Sequence, residues 1–516
     1  MHPLRNLMFL AGLLWLGGAV AAEEVLPSGA ISRLQAGSDA EPAQAVLRLA
    51  YSPDGKFLAS LHEDRQVRVW RTETGRVEYT LAPHRQALTA LEFSPQGDRL
   101  LTAAAGPEES VSIWDAPTGK LLTKLAVSHQ GATAARFIDG GKQVACLSPQ
   151  GGGWFDSATG EQVRKSVAET GPIAISPDGK SVVRLLTNPM RLQVEEIFDQ
   201  EAVSIMLSAG VQGPAVVDFS PYDGERLLIG KRGQPDCMLY RVYEYNGDVA
   251  LDYAPLEGHE KQVQGSAFSA DNLWVATASS DHTVRIWERL TMRPAAVISL
   301  DELEPTAAAF SPGGGRLAVG FQDGGILLWE VRRTLFPAPT EITEPTPEQM
   351  AGWWFDMASD EPAHAFKAVG AFCSHPAAAA KYFTGQLDFL KAGAAEADLQ
   401  RWIRELDDNE FAVRQAADEN LSDLRPGIDL VLRAALEKST SAEPRNRLRQ
   451  MLAAPMSQGD LDDAQRLQLM RCVLALETMS PAGRALLTRI AAVHPQPEAA
   501  AAAGAALERN VLNDLE

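Results

Sequence analysis

Four cysteines in 516 residues, Cys146, Cys237, Cys373 and Cys472, stand far apart with no C-x-x-C pair. That spacing offers no disulfide framework and no thiolate metal site, and the thiols read as independent buried side chains. Basic runs are missing too: the formal net charge is -20 and the pI about 5.0, which argues against nucleic acid as a partner. Catalytic signatures are equally scarce. There is no G-x-S-x-G elbow, no H-E-x-x-H and no EF-hand loop, and Gly55-Lys56, Gly119-Lys120 and Gly179-Lys180 lack the upstream glycine of a phosphate-binding loop. No cofactor and no metal are expected. His62-Glu63-Asp64 comes nearest to a ligand cluster, but it falls in a turn where Asp64 has a structural use.

The amino terminus has an apolar stretch of only about 14 residues, Leu7 to Val20, behind Arg5 and before Ala19-Val20-Ala21. A spanning helix needs roughly 20. The pattern reads as a secretory signal over residues 1–21, with an uncleaved anchor as the alternative; no cysteine follows to take a lipid. Cleavage removes one arginine and brings the net charge to -21. The mature chain is then expected in the periplasm or outside the cell, with no stable membrane span.

What the chain has in abundance is repetition. Turn phrases begin at Ser52, Ser94, Ile138, Ser176, Ser220, Ser269 and Ser311, separated by 42, 44, 38, 44, 49 and 42 residues. Proline fixes one backbone angle in the turn and glycine or asparagine permits another, so Ser52-Pro53-Asp54-Gly55 is a hairpin between two apolar strands. A third strand ends on an aromatic: Trp70, Trp114, Phe155, Phe198, Tyr243 or Tyr240, Trp287 and Trp329. A second turn, often Thr-Gly, leads to a fourth strand. Such a sheet has two apolar faces and cannot stand alone, so the copies must stack radially as blades.

Repeat length, Ser-Pro-Asp-Gly turn and strand-ending tryptophan resemble those of the WD40 repeat family across roughly residues 30–333. The resemblance implies an all-β, seven-bladed propeller over residues 22–333, closed by pairing strands from the two ends of the repeat region. The last repeat is short by one strand, and Ala30 to Leu34 is expected to supply it. In the sixth repeat His259, Thr277, Asp281 and Trp287 stand at the spacings that in the family form a buried hydrogen-bond chain. Repeat one has Ser60, Asp64 and Trp70 but no preceding histidine; His84 and His129 take that position before repeats two and three, and repeat seven keeps Asp323 and Trp329. A His-Asp-Thr set invites a catalytic reading, yet a structural clamp is the stronger expectation.

Thr334 to Pro345 interrupts every periodic pattern and reads as a proline-rich linker. An all-α domain follows over residues 346–516, opened by Thr346-Pro347-Glu348-Gln349 as an N-cap and capping box. Apolar residues at helical spacing predict eight to ten helices. Leu406, Asp408, Val413-Arg414, Ala417 and Leu421 resemble one HEAT repeat, in which the Asp and Arg are implied to link adjacent repeats. The whole order resembles an exported bacterial type of WD40 protein.

These features point to a non-enzymatic scaffold that binds protein partners through the propeller face and helical tail. The expected interaction residues are Asp64, Arg65, His84, Arg85, Gln86, His129, Gln130, Glu260, Lys261, Gln262, Trp274 and Trp353, the last within Trp353-Trp354-Phe355. Two alternatives stay open: a hydrolase or lyase sited in the central channel, where Arg136 and Asp218 are exceptions among small apolar residues, and a glycan or cell-wall binding module.

Overall fold

A computed structural model describes residues 26–513 other than 28, 36–43, 83, 107–110, 126, 128–130, 149–150, 167–171, 188–189, 197–201, 207–213, 221–225, 246–247, 337–343, 387–395, 424–431, 433–434, 437–438, 440, 454–462, 480 and 494–496. The leader expected over residues 1–21 lies outside them, as do His129, Gln130 and Phe198.

Each turn phrase closes on its own side chains. Ser52 Oγ donates to Asp54 Oδ1 at 2.6 Å, the Phe57 N–H donates back to Ser52 Oγ at 2.9 Å, and Gly55 sits at φ +71°. Ser176, Asp178 and Ser181 repeat the arrangement around Gly179. These local bonds force reversal every forty-odd residues, and the result is seven antiparallel four-stranded sheets. Blade one is β2–β5 (46–80), blade two β6–β9 (88–125), blade three β10–β13 (134–166) and blade four β14–β17 (172–206). Blade five is β18–β21 (214–255), blade six β22–β25 (263–299) and blade seven β26–β28 (305–330).

Blade seven takes its outer strand from the start of the chain: β1 (Ala30–Gln35) pairs antiparallel with β28 (Gly325–Glu330), setting Leu34 against Ile326. Leu34, 1% exposed, enters one core with Val46, Leu58, Trp70, Ile326 and Leu328, so closure buries apolar surface of blades one and seven together. Arg33 adds an ion pair to Asp323 at 2.6 Å. Neighbouring inner strands run close: a Cβ on Gly265 of β22 (Val263–Phe268) would lie 2.8 Å from the Ala307 Cα of β26 (Pro305–Phe310).

Register decides between the two aromatics offered for blade five and corrects the series in blade four. Trp70 stands opposite Leu58 and Trp287 opposite Val275; the same position in blade five, opposite Leu227, holds Tyr240 rather than Tyr243. In blade four it is Glu195, opposite Val182.

The segment expected as a linker from residue 334 begins instead as a helix. α1 (Val331–Leu335) continues directly from β28, and Leu335 and Phe336 are buried against the helical domain. Its prolines come too late to keep these apolar residues extended. Then follow α2 (Pro347–Asp356), α3 (Pro362–Cys373), α4 (Pro376–Gln386), α5 (Glu396–Glu405), α6 (Phe411–Asp423), α7 (Ala442–Ala453), α8 (Asp463–Thr478), α9 (Ala482–Val493) and α10 (Pro497–Asn513). Thr346 accepts from the Gln349 N–H and Gln349 Oε1 from the Thr346 N–H, so the capping box forms.

The helices divide between two cores. α3, α4 and α8–α10 share a continuous core with blades six and seven, in which Phe366 meets Trp274 at 5.3 Å and Phe336 at 5.6 Å between ring centres. α5, α6 and α7 enclose a separate one around Leu399, Leu406, Ala417, Leu421 and Leu448. Here the HEAT-like linkage is different from what the resemblance implies. Asp408 accepts from the Glu410 N–H at the start of α6, while Arg414 donates to the carbonyl oxygens of Asp408 and Asn409 and reaches toward Glu443 on α7 at 3.8 Å. All four cysteines are free thiols.

Candidate functional site

Strand alternation puts Thr277 of β23 (Trp274–Ser279) and Trp287 of β24 (Thr283–Glu288) on one buried face, below the loop carrying His259. Trp287 Nε1 donates to Thr277 Oγ1 at 2.7 Å, Thr277 Oγ1 lies 2.8 Å from His259 Nε2, and His259 Nδ1 lies 2.8 Å from Asp281 Oδ2. A carboxylate only accepts, so Nδ1 carries the proton and Nε2 accepts the threonine hydroxyl. Burial alone would raise the Asp281 carboxyl; bonds from the Thr283 hydroxyl, the Glu260 N–H and His259 outweigh it and hold it down to about 2. Burial depresses His259, against the pull of Asp281. Every polar atom in this chain is consumed by another, which leaves the set to fix the β23–β24 turn.

Blade one makes an equivalent chain from a residue that sequence reasoning assigned elsewhere. His62, 1% exposed, accepts from Ser60 Oγ at 2.8 Å and donates from Nδ1 to the Gln44 carbonyl at 3.0 Å, and Trp70 Nε1 donates to Ser60 Oγ at 2.8 Å. Residues two apart on a strand share a face, so the Ser60-x-His62 spacing was the available signal. Asp64 bonds Arg68 at 2.6 Å instead. Among the described residues no three His, Cys, Asp or Glu side chains converge as a metal site.

Two residues expected on an interaction surface are buried. Trp274 is 4% exposed because Phe366 of α3 covers it, and His84 is 6% exposed with its ring edge-on to Trp114 at 5.7 Å. Trp353 is half-buried between Phe372 and His375; of its aromatic run only Phe355 is exposed. Arg65, Arg85, Glu260 and Lys261 are exposed, with Asp64, Gln86 and Gln262 half-buried beside them. Arg65 donates to the Arg85 carbonyl at 2.8 Å, tying the β3–β4 turn to the β5–β6 connection on one face of the ring. Turns alternate between faces along antiparallel strands, and the helices dock on the opposite one, against Asp271, Trp274 and Glu288 of blade six.

The inner strands bring a further set of charges together. Glu92, Arg136 and Asp218 each precede a buried phenylalanine, Phe93 of β6 (Leu88–Phe93), Phe137 of β10 (Ala134–Ile138) and Phe219 of β18 (Pro214–Phe219), and so share one layer of the central channel. Arg136 donates from Nε to Glu92 at 3.1 Å and from Nη1 to the Ile175 carbonyl at 3.1 Å, while Glu92 also accepts from the Phe137 N–H at 2.9 Å. Ser266 Oγ donates to Asp218 Oδ2 at 3.3 Å. Arg136, Asp218 and Ser266 line a cavity of about 430 Å³ together with Arg48, Gln264 and Thr306. Burial pushes the Asp218 carboxyl up to about 6, although Arg136 and Arg48 both pull it down. Sequence reasoning singled out Arg136 and Asp218 but not Arg48 or Glu92, since Glu92 meets Arg136 only when blades two and three stack, and Arg48 comes within reach of Asp218 only when the ring forms. Chemically the channel offers guanidinium donors beside one carboxyl that titrates near neutrality.

Comparisons with known proteins match the repeats. The family described as WD domain, G-beta repeat matches residues 75–115 and 253–288, and the anaphase-promoting complex subunit 4 WD40 domain matches residues 30–94. The LST8 homolog of Drosophila melanogaster is 31% identical over 93 residues, covering 18% of this chain and 30% of that protein. The target of rapamycin complex subunit wat1 of Schizosaccharomyces pombe is 27% identical over 108 residues, 21% of this chain and 33% of its own. Mouse telomerase protein component 1 is 24% identical over 312 residues, 56% of this chain and 10% of its own. The chain spans about a third or less of the length of these relatives.

Proposed function

We propose that this chain, a member of the WD40 repeat family, is a non-enzymatic scaffold whose open ring face receives protein partners. One observation carries the reading: the helical domain covers one face at blade six, while the opposite face presents Arg65, Arg85, Glu260 and Lys261 on short turns held by rigid strands. Rigid loops lose little freedom on binding, and charged rims steer partners. A relative named as a subunit of the target of rapamycin complex is consistent with work inside an assembly. Residues 1–21 have the pattern of an export leader, so the partners are proposed to be periplasmic or extracellular.

Crosslinking in the producing cell, comparing the full chain with Arg85→Glu and Lys261→Glu, tests the reading. Partners lost from the charge-reversed protein, with folding intact, support it; an unchanged partner set overturns the assignment to this face.

A further inference from the structure

Arg48 of β2 (Val46–Tyr51) is exposed and lines the channel with no hydrogen bond and no ion pair among the described residues, and the protein around the channel lowers its basicity. Asp218 attracts it from across the channel without forming a salt bridge. Arg136, held by Nε and Nη1, lines the same space. A guanidinium open to the channel and without a protein acceptor is placed to take an anion, and its paired donors fit the two oxygens of a planar carboxylate.

We propose that the channel is a carboxylate-binding site in which Arg48, with Arg136 and Asp218 lining the same space, receives the anion.

The charges support this assignment. Glu92 and Arg136 cancel, so Arg48 and Asp218 set the sign of the channel, and protonating Asp218 makes it positive. The groups facing Asp218 are Arg48 from β2, Arg136 from β10 and the Ser266 hydroxyl from β22, with Glu92 of β6 acting through Arg136. An arriving carboxylate repels the Asp218 charge and raises a carboxyl already at about 6, so binding takes up a proton and tightens as pH falls from 8 to 6. The space of about 430 Å³ is in the range that holds small ligands and exceeds one acidic side chain. Two sources share this chemistry: a free dicarboxylic acid, or a glutamate or aspartate side chain on a partner's loop. The second rests on the scaffold reading and the first does not.

Calorimetric titration of the full chain tests the site, with glutarate as the free acid, an acetylated and amidated tri-glutamate peptide as the side-chain source, and inorganic phosphate as the competing anion. Binding of glutarate or the peptide should weaken roughly ten-fold in Arg48→Gln and recover in part in Arg48→Lys. For the wild type, affinity should rise about five-fold or more from pH 8 to pH 6, and Asp218→Asn should abolish that dependence. Thermal unfolding of each variant separates lost binding from lost folding, and the wild-type pH profile stands independently of any variant. Glutarate binding alone assigns a free acid, and peptide binding alone a partner side chain. Absence of binding by both, equal binding by Arg48→Gln, or tighter binding of phosphate overturns the proposal. If Arg48→Gln binds neither probe yet captures the same crosslinked partners, the partners dock outside the channel and the scaffold reading survives on its own.

Discussion

Arg471 of α8 and Glu288 of β24, 183 residues apart, form a two-pronged ion pair at 2.9 and 2.6 Å. Both are nearly inaccessible, at 1% and 5% side-chain exposure. Arg471 Nη1 also donates to the carbonyls of Met357 and Ser359, and its guanidinium lies over Phe366 at 5.3 Å, so all three nitrogens of the fork are engaged. Beside it Arg509 of α10 bonds Glu477 at 2.7 Å and approaches Asp271 at 3.9 Å. The helical domain is therefore pinned to blade six and is no free arm.

Removing one member of the Arg471–Glu288 pair strands the other without solvent. Arg471→Ala or Glu288→Ala should each cost about 3–5 kcal/mol, while Arg471→Met with Glu288→Leu should recover most of it. Chemical denaturation in a double-mutant cycle measures this. Equal losses in the single and double variants would show that packing, not charge, holds the junction.

Thr277→Val should cost about 1–3 kcal/mol, because it leaves Trp287 Nε1 without an acceptor and His259 Nε2 without a donor. Ser60→Ala should behave alike in blade one, where the histidine lies within the strand. Unfolding midpoints of the two variants give the comparison.

Acid should weaken blade one first. Burial holds His62 down to about 4, against about 6.5 in the unfolded chain, so unfolding takes up a proton between those values. The contribution of His62 is complete above pH 6.5 and falls away toward pH 4. Asp218, raised to about 6 from about 3.8, has the opposite sign: its contribution is present below 3.8 and is lost as pH rises through 6. Stability measured from pH 4 to 7 should slope less steeply upward in His62→Gln and more steeply in Asp218→Asn.

Ring closure should depend on burial rather than on the exposed ion pair. Leu34→Ala should cost about 2–5 kcal/mol. Asp323→Ala should cost no more than about 1 kcal/mol, since Asp323 is 41% exposed in its pair with Arg33. Deleting residues through 35 uncovers the hydrogen-bonding edge of β28, and gel filtration should then reveal self-association.

The propeller was legible because its signals are local. Ser52, Asp54 and Gly55 bond within five residues, and the pattern recurs down the chain. Even closure was readable, since a short last repeat and a spare strand pattern at Ala30 identify each other. Contacts made at long range were hidden. Nothing around Trp274 signals that Phe366, 92 residues later, will cover it, and Arg48 becomes a neighbour of Asp218 only when seven blades set the diameter of the channel. His62 is a different case: its two-residue spacing from Ser60 was visible, but an adjacent Glu63-Asp64 suggested a ligand cluster.

Pairing residues 30–35 with 325–330 also sets an order of events during synthesis. The ribosome must deliver almost the entire propeller before the first strand meets its partner, and the helices that grip blade six emerge later still. Until then the arc of blades has two unpaired ends, and the ring can shut only when they meet.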